Sequence, residues 1–123
     1  MIVALTGAVL LGALAVLQAS LIAGAPLGRF AWGGRNVVLP ANLRIGSAVS
    51  IVFYAGFAVL ILSAAGAVSV LPDSVTDVGI WVLSGYFALG VGMNAASRSR
   101  PERLVMTPVA LALAAVCVVL ALQ

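Results

Sequence analysis

A transmembrane four-helix bundle, all-α, is the fold this chain predicts, and composition, charge spacing and length each point to it. Of 123 residues, 64% are apolar and 7% charged, and mean hydropathy is +1.28. A water-soluble domain carries about 45–50% apolar and about 25% charged residues, so this chain cannot clothe itself for water. Charges leave four uninterrupted stretches, Met1–Gly28, Ile45–Pro72, Val78–Ser97 and Leu104–Gln123. Each meets the roughly 20 residues that a membrane helix needs, and no fifth fits. The chain is expected to be one domain, residues 1–123, with spans over about 2–25, 42–69, 75–97 and 101–122.

The first span opens MIVALTGAVLLG, without a basic leader segment, and its apolar run exceeds the roughly 7–15 residues of a signal core. It is expected to be retained. The remaining charges orient the spans. Arg29, Arg35 and Arg44 surround the first connection, and Arg98, Arg100, Glu102 and Arg103 surround the third. Only Asp73 and Asp77 flank the second. Four spans put connections one and three on one side, and the excess of basic residues there marks it as cytoplasmic, with both termini outside. So lopsided a distribution also opposes a dual-topology protein.

Turn chemistry sets the expected boundaries. Ser74-Val-Thr-Asp77 and Ser99-Arg-Pro-Glu102 both have the form of a capping box. Pro101 suits a first helical turn, where its missing N–H is not needed, and Pro40 plays the equivalent part for the second span. Glu102 thus reads as a cap and a local partner of Arg98 or Arg103. Pro108 leaves the Leu104 carbonyl without its helical donor, so a bend is expected there. Within the spans, small residues four apart offer close-packing seams: Ala4, Ala8 and Gly12, then Ala15, Ala19 and Ala23, in the first. The third has Gly85, Ala88, Gly92 and Ala96, and the fourth Ala110 and Ala114. Such seams serve a compact bundle or a homo-oligomer equally. Pro40-Ala-Asn-Leu43 and Pro101-Glu-Arg-Leu104 occupy matching places in two hairpins, the trace expected of a parallel repeat.

Polar side chains inside the spans are the candidate functional groups. Gln18, Ser47, Ser50, Asn94 and Thr107 lie within roughly 12 Å of the cytoplasmic helix ends at 1.5 Å per residue, with Tyr54 and Tyr86 near mid-membrane. Together they suggest a polar cleft open to the cytoplasm, against the plainer reading of interhelical bonding. Gln18 and Asn94 stand out because an amide is hard to satisfy within its own helix. The first connection, Gly24 to Arg35, carries Phe30 and Trp32 suited to the headgroup level. The six arginines, Arg29, Arg35, Arg44, Arg98, Arg100 and Arg103, are candidate contacts for anionic lipid.

Catalysis and cofactors find few parts. There is no His or Lys, one Cys and three carboxylates. The glycine pairs of the first connection lack the preceding strand and GK[ST] of a phosphate loop. Cys117, alone in hydrocarbon, reads as a packed small residue, and Trp81 as an anchor at the outer interface. No metal, cofactor or catalytic residue is expected, and nucleic acid is excluded because the +3 charge is spread over two membrane-hugging loops.

GAPLGRFAWGG, VLPANLRIGSAVS and NAASRSRPERLVMTPVALALA together resemble a family of small four-helix integral membrane proteins of high-GC, actinobacterial-type bacteria. The resemblance implies a bacterial inner-membrane protein and points to Arg29–Arg44 and Asn94–Arg103 as its functional face; it implies no substrate. Small multidrug transporters fit less well, because every acid here sits at a helix end. Small dual-topology fluoride channels lack the charge asymmetry. The expected role is a structural or accessory interaction protein or homo-oligomer of the plasma membrane, partnered by anionic membrane lipids and by a second copy or a larger membrane protein. The alternative is a small transporter, channel or lipid-binding module that uses the cleft.

Overall fold

The computed structural model describes residues 1–123 and contains four long helices and no strand: α1 (Ile2–Ile22), α2 (Ala41–Ala64), α3 (Asp73–Ala95) and α4 (Arg100–Ala121). Each is long and apolar enough to cross a membrane, and this is a multi-pass membrane protein. The helices pack as two tight hairpins, α1 with α2 and α3 with α4, which meet less extensively along α1/α4 and α2/α3. For clarity, the end that holds the first and third connections is the arginine end.

Helix ends fall a few residues inside the expected limits where glycine intervenes. Gly24 and Gly66 take left-handed φ of 93° and 77°. In each case the next amide reaches back five residues (Ala25 to Ser20, Ala67 to Leu62) and the glycine amide three, which is the Schellman stop. At the start of α3, Pro72 is the capping residue and its carbonyl accepts the amides of Val75 and Thr76 and the Thr76 hydroxyl. The helix therefore begins before Ser74, and the expected Ser74/Asp77 box does not form. α4 starts after Ser99 with Pro101 in its first turn as expected, and it continues through Pro108.

The main core lies in the half of the bundle away from the arginine end. α1 gives it Ala4 and Leu11, α2 Ile61, α3 Ile80, Leu83 and Phe87, and α4 Leu113, Ala114, Val116, Cys117 and Leu120. Cys117 is fully buried there. Close approach is made at different glycines from those in the expected seams. A Cβ on Gly7 would lie 3.0 Å from Val116 and 3.4 Å from Ile61, and one on Gly79 3.0 Å from Leu60. Gly12, Gly85 and Gly92 instead face open space. Ala110, from the α4 seam, is buried and comes within 3.9 Å of a Cβ built on Gly90. Between α2 and α3 the mid-level seam is filled by Phe53, Tyr54, Phe57, Tyr86 and Phe87, with successive ring centroids 5.3 to 6.5 Å apart. Offset and edge-on rings at this spacing gain energy beyond their burial.

Candidate functional site

The first connection is an ordered lid across the arginine end. It folds into two short 3-10 turns, Gly28–Phe30 and Trp32–Gly34. Gly28 N–H donates to the Val37 carbonyl at 2.9 Å and closes the loop on itself. Trp32, Gly33 and Gly34 are successive left-handed residues, with φ of 54°, 76° and 71°. Such a conformation is costly for tryptophan, and the surrounding contacts hold it. The Trp32 indole N–H donates to Ser47 Oγ at 3.1 Å, and its ring lies over Gly46, where a Cβ would come within 2.8 Å. Under the loop, Leu21, Ala31 and Leu39 form a second small core.

The lid is fastened to the second hairpin as well. Gly33 N–H donates to Glu102 Oε2 at 3.2 Å, and the Ser99 hydroxyl donates to the Arg29 carbonyl. Ser99 and Glu102 therefore do not form the expected local capping box. Glu102, buried at 7% exposure, does not pair with Arg98 or Arg103 either; it joins α4 to the first connection. Arg103 donates to the Ser97 carbonyl at 3.1 Å, and Arg44 to the Leu39 carbonyl at 2.8 Å. Arg29, Arg35, Arg98 and Arg100 are exposed. The end face thus presents four exposed guanidinium groups, with Arg44 and Arg103 half-buried on backbone carbonyls, while its single carboxylate is committed beneath the lid.

Of the seven expected cleft residues, the structure brings Gln18 and Tyr54 together and gives the others separate surroundings. Gln18 Nε2 donates to the Tyr54 hydroxyl at 3.4 Å, joining α1 to α2. Ser47 receives Trp32, whereas Ser50 donates to the Gly46 carbonyl and Asn94 to the Gly90 carbonyl, both in their own helices. The Asn94 amide thus finds its partner within its own helix, contrary to expectation. Tyr86 is 55% exposed on α3 and packs on Phe57 and Phe87, with ring centroids 5.3 and 5.4 Å away. Thr107 Oγ1 and Gln18 Oε1 are buried without partners. Neither of the two main grooves is lined by any of the seven.

The better enclosed groove was not anticipated from the sequence. It holds about 300 Å³ between α1 and α4, and its lining is wholly apolar, from Leu10 and Leu17 on α1 to Val105 and Val109 on α4. Leu27 and Phe30 of the lid close it at the arginine end. Its origin lies in residue size. Gly7 lets α4 close on α1 in the far half, whereas Leu14 and Leu17 face Met106 and Val109 in the near half and hold the helices apart.

Gln18 carries a direct prediction. Gln18→Leu removes one long hydrogen bond but also an orphaned, desolvated carbonyl, a group whose burial costs about 1–3 kcal/mol. The variant should match or exceed the wild-type thermal midpoint in detergent; a loss of several degrees would mean the amide is a net stabiliser.

Comparison with protein-family models, curated proteins and solved structures finds no match to this chain.

Proposed function

We propose that this chain is a non-catalytic interaction protein of a bacterial plasma membrane, docked on anionic lipid through a cytoplasmic arginine face. Its lipid-facing helices would then be free to meet a second copy or a larger membrane protein. The observation that carries this reading is the arginine end itself: six guanidinium groups, none engaged by the one carboxylate nearby. Juxtamembrane basic residues gain about 1 kcal/mol each near an acidic leaflet. The resemblance to small actinobacterial-type membrane proteins supports the compartment. Transport through the interior has weaker support, resting on two buried unpartnered atoms, Gln18 Oε1 and Thr107 Oγ1.

Two measurements test the reading. In a Cys117→Ala background, Ser74→Cys should react with an impermeant maleimide in intact cells and Val37→Cys only after permeabilisation; the reverse order would turn the arginine face outward and end the proposal. The wild type should also melt several degrees higher in phosphatidylglycerol nanodiscs than in phosphatidylcholine ones, a gap that salt narrows. Equal midpoints would remove anionic lipid as a partner.

A further inference from the structure

We propose that the groove between α1 and α4 seats one acyl chain of an anionic phospholipid, with Arg29 at its headgroup. This deepens the reading above and rests on the arginine end facing an anionic leaflet.

Shape and depth suit an acyl chain. From Leu10 to Leu17 the groove follows α1 for about 10 Å at 1.5 Å per residue. One leaflet of hydrocarbon is about 15 Å deep, half of a roughly 30 Å core. The groove thus runs parallel to the chains of a single leaflet over most of its depth. Two helices and the lid enclose it, and its remaining side is open to the bilayer, so a neighbouring lipid enters laterally. No polar side chain lines it, which leaves a water-soluble ligand nothing to bond.

The lid decides between a lipid and another protein. A membrane-spanning helix about 10–12 Å across continues past the interface, and Leu27 and Phe30 would block its path. An acyl chain ends at that level, in a headgroup. Arg29 stands between those two roof residues in the same 3-10 turn, with its side chain exposed and its carbonyl held by Ser99. Glu102, the one carboxylate at this end, is already bonded to Gly33 N–H. The groove's mouth is therefore matched to an anionic phosphodiester.

The test uses the wild type, Ala13→Trp and Arg29→Gln in nanodiscs with equal amounts of phosphatidylglycerol and phosphatidylcholine. Ala13 is an exposed groove residue, so the larger side chain fills the groove without entering the core; circular dichroism and thermal midpoint verify the fold of each variant. Native mass spectrometry then counts and identifies the lipids retained by each chain. The wild type should keep one phosphatidylglycerol in several-fold excess over phosphatidylcholine. Arg29→Gln should lower that excess several-fold, and Ala13→Trp should lose the retained lipid. Phosphatidylglycerol retention that neither variant changes would overturn the groove site while leaving the arginine face as a lipid-binding surface. Equal retention of both lipids by the wild type would overturn that surface too. A dimer that Ala13→Trp dissociates would give the groove to a second copy instead.

Discussion

Gly28→Ala should release the lid and cost about 3 kcal/mol, the upper part of the range for overpacking a closed site. The added Cβ would fall 1.8 Å from the Asn36 carbonyl oxygen and 2.9 Å from that of Val37. Both obstacles are backbone atoms, so no rotamer change relieves them. The Gly28 to Val37 hydrogen bond that closes the loop must open, and Ala31 and Leu39 lose their packing on Leu21. Trp32 then leaves Gly46 and Ser47. In a Trp81→Phe background, the remaining indole should emit at longer wavelength, together with a lower thermal midpoint. Native emission and an unchanged midpoint would show that the lid closes without a bare backbone at this position.

Gly7→Leu should be comparably damaging at the opposite end, again about 3 kcal/mol. Its first carbon already lies 3.0 Å from Val116 Cγ1 and 3.4 Å from Ile61 Cδ1. Neighbours could yield a few tenths of an ångström to that carbon alone, so Gly7→Ala should be much milder. The three further carbons of leucine have no such room, and α1 must draw away from both α2 and α4. Gly12→Leu is the control, because nothing lies within 4 Å of its Cβ. Thermal unfolding in one detergent should therefore rank Gly12→Leu near wild type and Gly7→Leu far below it. Equal midpoints for the two would mean that α1 does not dock through Gly7.

Spans were legible because hydrocarbon solvation acts on composition over about 20 residues, whatever the neighbours do. Their ends were less so. Gly24 and Gly66 lie inside apolar runs, and only their backbone shape makes them stops. The lid was legible as an unusual stretch, through its glycines and its Phe30 and Trp32, but not as a structure. Two of its fastenings use main-chain groups, Gly33 N–H and the Arg29 carbonyl, which every residue possesses. Ser99 and Glu102 satisfied a local pattern, yet a partner about 70 positions away took both side chains. Small-residue spacing likewise could not say which face of a helix meets its neighbours: Gly7 packs while Gly12 does not. The groove arises from leucines and methionine, residues that mark core and lipid surface alike.

The union of Gly33 with Glu102 across 69 positions also dictates an order of assembly. A ribosome delivers the first hairpin long before the residues that fasten its loop exist. Until the fourth span arrives, the newborn protein holds Trp32 and its neighbouring turn at the bilayer boundary, bonded to α2 at most. The loop therefore stays unlatched while α3 is made and until Ser99 and Glu102 emerge, and only afterwards do Leu113 to Leu120 of α4 complete the core at the far end.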